Sequence, residues 1–261
     1  VIVCTPPSTH RSVAEAALLA GAHVLCEKPL TISLEDAAGL HQAADRAGRV
    51  LMMASKFRYV SDVVKARGIL KSGLLGEPVL LENEFCARVN MSKRWNSDPG
   101  ISGGGVLIDN GSHSVDIVRY LAGPIEKIKA VFGKPAQGLE VEDTARLFAY
   151  SHDGTMASID LSWSIHKENP FYIEIYGTEG TLQVGWKKSR YRQSEKVDWV
   201  DFGFGYDKFQ AVGAQLANFL DTIAGRAEPL ITMEDAIESV RVIQTAYHTA
   251  AGERWEGLIG G

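Results

Sequence analysis

Three residues carry the clearest chemical potential in this sequence: Lys28 in "EKP", and Asp109 and His113 in "LIDNGSHSVD". A lysine in a partly desolvated site loses its proton more readily than one in water, and can then take a proton from a hydroxyl or orient the group that does. Lys28 ends a run that reads as a parallel strand, the position where open α/β sheets bind ligands, and the following Pro29 biases its backbone toward extended geometry and admits a cis bond. Asp109 and His113 are four residues apart, so on a helix they share one face, with Asp116 next along it. A carboxylate and an imidazole stacked in this way can bind adjacent hydroxyls and relay a proton, the imidazole being the group that titrates nearest neutral pH. The competing readings are a solvated lysine and a surface Asp/His ion pair. A metal centre would need more ligands, and no third His, Cys or carboxylate stands at motif spacing.

The elements that must position these groups fall into two rhythms. Residues 1–55 alternate as strand "VIVCT", helix "STHRSVAEAALLAG", strand "HVLCE", helix "SLEDAAGLHQAADRAG" and strand "RVLMMAS", a parallel βαβαβ unit. The first strand is apolar throughout, as in a sheet covered on both faces, and Val13, Ala16, Ala17 and Ala20 make a small-residue stripe to pack on it. Ser33 with Asp36 forms an N-terminal capping pattern, and Gly21 and Gly48 stop the two helices.

From residue 56 to 261 the pattern is that of an α+β domain with an open, mostly antiparallel sheet. After the helix "SDVVKARGILKSG" come strand runs at "PVLLENEFCAR", "EKIKAVFGK", "DTARLFAYS", "MASIDLSWSI", "FYIEIYG" and "TLQVGW". "SHDGT" and "GTEGT" read as hairpin turns between alternating runs. The segment "LIDNGSHSVDIVRYLAG" reads as a helix with Val115, Val118 and Leu121 on its core side, and two amphipathic helices close the chain at "DKFQAVGAQLANFLDTIAG" and "MEDAIESVRVIQTAYHTAAG". Gly111 costs that helix about 1 kcal/mol of propensity, which a close approach to a ligand would justify.

Composition narrows the partners. The 261 residues are 45% hydrophobic and 23% charged, with a net charge of −5, which argues against nucleic acid and anionic membranes and favours small molecules. Cys4, Cys26 and Cys86 lack metal or redox spacing and sit in strand-like contexts, which suits buried, reduced thiols in the cytoplasm. No run reaches the roughly 18 apolar residues of a membrane span, and no signal peptide is visible.

"TPPSTH" at 5–10, "EKP" at 27–29 and "GGGVLIDNGSHSVD" at 103–116 stand in an order and at separations that resemble the Gfo/Idh/MocA family of nicotinamide-dependent oxidoreductases. The resemblance covers essentially the whole chain. It implies a Rossmann domain in residues 1–55, a substrate-binding and oligomerisation domain in 56–261, and NAD or NADP as cofactor. Members of the family open with a G-x-G-x-x-G turn and a further βα unit, and no such pattern occurs here; Gly103, Gly104 and Gly105 follow a loop and lack the spacing. The expectation is therefore a fragment lacking some sixty or seventy residues of the fold, at about 30 residues per βαβ unit, and with them the acidic or basic residue that tells NAD from NADP.

By the same resemblance Thr5, Pro6, His10, Glu27, Lys28 and Pro29 face the cofactor. Lys28 and His113 handle the proton, and Asp109 binds and tunes the substrate. Arg94 and Trp95 are candidate substrate contacts, with Arg58 matching a family arginine loosely and Trp163, His166 and Lys167 at a strand end that could line a sugar pocket. Ser55-Lys56 departs from the Asn common in relatives. The implied activity is hydride transfer between nicotinamide and a hydroxyl or carbonyl of a sugar, cyclic polyol or sugar derivative. The alternatives are a non-catalytic dinucleotide or sugar sensor of the same fold, and a metal-dependent hydrolase. Ile159, Leu161, Ile173 and Ile175 are expected on the open sheet face, where a homodimer or homotetramer would cover them.

Overall fold

The computed structural model describes residues 1–194 and 198–252. A parallel sheet is formed by β1 (Ile2–Val3), β2 (Val24–Glu27) and β3 (Leu51–Ala54) in the order β1-β2-β3. They are joined by α1 (His10–Leu19) and α2 (Leu34–Ala47). Ser33 caps α2 by accepting from the Asp36 N–H, and Gly48 ends it in the left-handed conformation, as the sequence predicts.

Two expectations for this unit need correction. A single 3₁₀ turn at Pro7–Thr9 precedes α1, and the face of α1 packed on α2 and β2 buries His10, Ala14 and Leu18, while Val13, Ala16 and Ala20 are exposed and Ala17 only half-buried. The first strand is likewise not covered on both faces, because Val3 is buried but Ile2 is 56% exposed.

The larger sheet has, among the described residues, eight strands: β4 (Pro78–Cys86), β5 (Ile125–Phe132), β6 (Thr144–Ser151), β7 (Met156–Ser162), β8 (Phe171–Gly177), β9 (Thr181–Gly185), β10 (Ser189–Arg192) and β11 (Val200–Gly203). Their order is β11-β10-β9-β8-β4-β7-β6-β5, and every pairing is antiparallel except β4 with β7. The two turn sequences do close hairpins, β6–β7 and β8–β9. The short β10 and β11, with charged and aromatic residues in place of clean alternation, escape the sequence pattern.

One face of this sheet is the core. Leu147, Ile159, Leu161, Ile173 and Ile175 are buried there, with α5 (Val106–Ala122) packed on β4, β6 and β7. Ile159, Leu161, Ile173 and Ile175 therefore do not lie on the open face. Period-2 alternation fixes which residues share a face but not which face is covered. The open face carries instead an apolar row of Tyr150, Met156, Leu80 and Tyr176 in register, followed by the charged Glu82, Glu174, Glu84, Asp160 and Arg146.

The remaining helices are α3 (Ser61–Lys71), the single turn α4 (Pro99–Ser102), α6 (Lys208–Ile223) and α7 (Met233–Ala251). Phe219 of α6 packs with Leu25, Met52 and Ala54, closing one side of the parallel sheet, while α7 runs against α2, α5 and β5. Gly111 lets α5 pack closely: a β-carbon there would press on the Leu161 and Ile243 side chains, so the glycine admits sheet and helix rather than a ligand.

A buried ion cluster pins these layers. Arg58, only 4% exposed at its side chain, pairs with the fully buried Asp116 at 2.7 Å and with Asp235 of α7 at 2.9 Å, and Ser55 donates to Asp116 at 2.8 Å. Arg58 is thus a structural residue rather than a substrate contact. Replacing it with alanine leaves Asp116 charged and unpaired in the interior, so Arg58→Ala is expected to lower unfolding free energy by about 3–5 kcal/mol in urea denaturation. A loss within about 0.5 kcal/mol, typical of a surface substitution, would contradict that structural role.

Candidate active site

The end of β2, the turn after it and the first two turns of α5 meet in one cleft. Lys28 Nζ donates to the Asp109 carboxylate at 2.6 Å and to the Asp109 backbone carbonyl at 2.9 Å, with only 13% of the lysine side chain exposed. An ammonium has three donors, so this pairing leaves one N–H of Lys28 for the cleft. Asn96 reaches the other Asp109 oxygen at 3.4 Å. The Lys28–Pro29 peptide is cis.

Helix α5 is held in place by a residue far along the chain. Its N-cap, Gly105, has no side chain, and Glu142 takes over: one carboxylate oxygen accepts from the N–H of Gly105 at 3.0 Å and of Leu107 at 2.9 Å, and from the Tyr247 hydroxyl at 2.8 Å. The Glu142 carbonyl accepts from the Val106 N–H as well. A β-carbon on residue 105 would strike that backbone, so only glycine permits the approach. Burial pushes the Glu142 carboxyl above its usual range against the pull of these donors.

His113 lies one turn beyond Asp109. It is nearly buried, with Lys56 Nζ 3.4 Å from its Nε2 and the Phe57 ring edge-on at 5.0 Å. Burial first, then the charges of Lys28 and Lys56, hold its pKa well below the ordinary 6.5. The imidazole is therefore neutral at pH 7 rather than poised to titrate there. Burial and Lys28 likewise lower the Lys56 pKa, and the charges of Glu27 and Asp109 only partly oppose them.

Two cavities share this cleft. The first, about 200 Å³, is lined by Thr5, Glu27, Lys28, Pro29 and Trp95, with Cys4, Pro7 and Asn96 beside them. The second, about 420 Å³, is lined by Lys28, Lys56, Arg94, Asn110 and His113, with Trp163 in its wall. Lys28, Asn96 and Asp109 border both.

Most residues singled out in the sequence thus converge; besides Arg58, four do not. His10 is buried, with Nδ1 2.9 Å from the Pro29 carbonyl and Nε2 2.8 Å from that of Thr5, so it clamps the two loops together and does not face the cavity. Pro6 lies outside the lining and its carbonyl starts the turn into α1, while Pro7 takes the cavity position. Lys167 pairs with Glu84 and Asp160 on the open sheet face, and the exposed His166 lines neither cavity. Cys4 is exposed and Cys86 half-buried, so only Cys26 meets the expectation of a buried thiol. Asn96, Asn110, Lys56 and Glu142 were not readable as site residues; Ser55-Lys56 signalled only a departure from the family pattern.

Residues 1–55 match the profile described as the oxidoreductase family with an NAD-binding Rossmann fold, and residues 63–183 that of the GFO/IDH/MocA C-terminal domain. A 1,5-anhydro-D-fructose reductase of Ensifer adhaerens is 30% identical over 276 residues, covering 99% of this chain and 80% of the reductase. A levoglucosan dehydrogenase of Pseudarthrobacter phenanthrenivorans is 26% identical over 216 residues, 72% of this chain and 55% of the dehydrogenase. The chain spans 50 to 60% of the length of several curated relatives that it matches. Among solved structures, the aldose-aldose oxidoreductase of Caulobacter crescentus, complexed with glycerol, superposes with a TM-score of 0.88 at 26% identity over 97% of this chain and 77% of that one. With the two family profiles matched in order over residues 1–55 and 63–183 and a 30% identical relative aligned along 99% of this chain, the chain belongs to the Gfo/Idh/MocA family of oxidoreductases.

Proposed function

We propose that the protein transfers a hydride between nicotinamide, of NAD or NADP, and a CH–OH or carbonyl group of a sugar, cyclic polyol or sugar derivative. The observation that carries this reading is the Lys28–Asp109 pair at the junction of the two cavities, with a neutral imidazole one helical turn away. The smaller cavity, walled by Pro7, Pro29, Trp95 and Ile108 with Thr5 and Glu27 at its polar edge, fits a flat ring of mixed polarity. The larger one, rich in hydrogen-bonding side chains, fits a polyhydroxylated molecule. The sugar derivatives named for the reductase and dehydrogenase relatives support the same substrate class.

The nicotinamide, when bound, supplies the two-electron acceptor or donor. The chain supplies the proton chemistry. As an alcohol is oxidised its C–H bond gives up a hydride, its O–H bond gives up a proton, and a C=O bond forms. In its unprotonated form Lys28 Nζ takes that proton, which regenerates the ammonium held by Asp109 through the 2.6 Å contact. In reduction the same ammonium returns it. His113, kept neutral, accepts at Nε2 a hydrogen bond from a substrate hydroxyl that takes the place of Lys56, 3.4 Å away in the free protein, and so fixes the orientation of the reacting carbon. Domain roles follow the same division, residues 1–55 serving the cofactor and 56–261 the substrate. Assembly into a homodimer or homotetramer would cover the row of Tyr150, Met156, Leu80 and Tyr176 on the open sheet face.

Lys28→Ala is expected to cut kcat by about 100-fold or more while substrate affinity largely persists, read from the absorbance of the reduced cofactor; undiminished turnover would reject Lys28 as the proton carrier. His113 also gives stability a pH dependence. Its folded pKa lies below the unfolded value of 6.5, so between the two the unfolded chain binds more protons, and the contribution present above pH 6.5 is lost as pH falls through that window. Urea unfolding at pH 7 and pH 5 should show a smaller acid loss for His113→Gln than for wild type. For assembly, light scattering coupled to gel filtration should report a dimer or tetramer, and a monomer at high concentration would reject the sheet-face contact.

A further inference from the structure

The larger cavity is short of negative charge. Its walls bring together three cationic side chains, Lys28, Lys56 and Arg94, against the single carboxylate of Asp109. Asp109 is already committed, one oxygen to Lys28 at 2.6 Å and the other to Asn96 at 3.4 Å. Lys56 has no carboxylate within ion-pair distance among the described residues; its Nζ lies 3.4 Å from the His113 Nε2 and 5.1 Å from the centre of the Phe57 ring. Arg94, exposed at the rim, forms no ion pair among the described residues either. A half-buried ammonium without an ion-pair partner is costly, and the charges of Glu27 and Asp109 offset only part of the burial and of the repulsion from Lys28 and Lys208. The neutral imidazole offers Lys56 a hydrogen-bond acceptor but no charge.

We infer that Lys56 and Arg94 form an anion subsite and that the natural substrate is a negatively charged sugar or polyol, its acidic group lying between these two cations while its reacting hydroxyl meets Lys28. Both a carboxylate and a phosphate have the shared chemistry that recognises such a pair: several acceptor oxygens, one set matched to the planar guanidinium and one to the point charge of the ammonium. The cavity, at about 420 Å³, is within the range of small-ligand sites and admits a six-carbon skeleton with its acidic group. The inference rests on the oxidoreductase reading for the reacting end of the substrate, but the anion subsite is testable without turnover.

The experiment compares matched probes on the full-length native protein: D-galacturonate against D-galactose, D-gluconate against D-sorbitol, and glucose 6-phosphate against glucose. Calorimetric binding and kcat/KM are both measured for wild type, Lys56→Gln and Arg94→Gln. At least one acidic probe should exceed its neutral partner by about tenfold or more, and each substitution should reduce that ratio by a similar factor. The carboxylate and phosphate arms then identify the acidic group. Because Arg94 is exposed and unpaired, its variant keeps the test valid should Lys56→Gln fold poorly. Turnover of neutral sugars with no acidic preference, or a preference unmoved by both substitutions, would overturn the subsite while leaving the oxidoreductase reading intact. Charge-dependent binding of an acidic probe, lost in the variants but without turnover of any probe, would uphold the subsite and count against the oxidoreductase reading.

Discussion

The contact between Lys28 and Asp109 spans 81 positions of sequence and joins the carboxyl end of a parallel strand to the first turn of α5. It can form only if both partners are delivered by rigid supports, because a lysine free to sample its rotamers gains little from one ion pair. Each support is over-determined. On the strand side, His10 bridges the backbones of Thr5 and Pro29, so the loops after β1 and β2 are fixed relative to each other. On the helix side, Glu142 holds the N-terminus of α5, Gly111 brings its middle onto β7 and α7, and the Arg58–Asp116 pair anchors its later turns. Lys28, Asp109 and His113 are thus positioned by three separate polar devices, all largely removed from water.

The electrostatics of the cleft follow from that arrangement. Two lysines approach a buried histidine from different elements, Lys28 from the strand end and Lys56 from the turn after β3. The imidazole answers by staying neutral, which lets it serve as an acceptor where a protonated histidine could only donate. Concentrating cations in this way is destabilising in a free protein and favourable in a complex that brings negative charge. Binding and function therefore claim stability that the fold alone does not keep.

Much of this was legible in the residues. The βαβαβ rhythm, the hairpin turns and the Asp109/His113 spacing each rest on local chemistry, and each reappears in the structure. What escaped depends on long-range geometry. The α1 stripe was misplaced because small residues mark several sides of that helix, and only its packing on α2 and β2 decides which side is buried. Ile159, Leu161, Ile173 and Ile175 were put on the wrong face because alternation is symmetric between two faces. His10 was taken for a cofactor contact because its motif marks the loop and not the direction of the ring. Glu142 was missed for a related reason: nothing within a few residues of it names its partners, which lie 35 to 37 positions earlier and 105 later.

The capping of α5 by Glu142 has a consequence for how this scaffold can vary. The connection from β5 to β6, residues 133–143, crosses the surface and would ordinarily be free to lengthen. Here its last two residues are spoken for, Glu142 by α5 and Asp143 by the N–H groups of Ala136 and Gln137 within the same loop. An insertion next to these two residues would be transmitted to the helix that presents Asp109 and His113. Variation in loop length among descendants of this chain should therefore collect at hairpins such as β6–β7, where His152 and Asp153 are exposed and, among the described residues, bind only each other through their side chains, while the β5–β6 connection keeps its length as firmly as a strand.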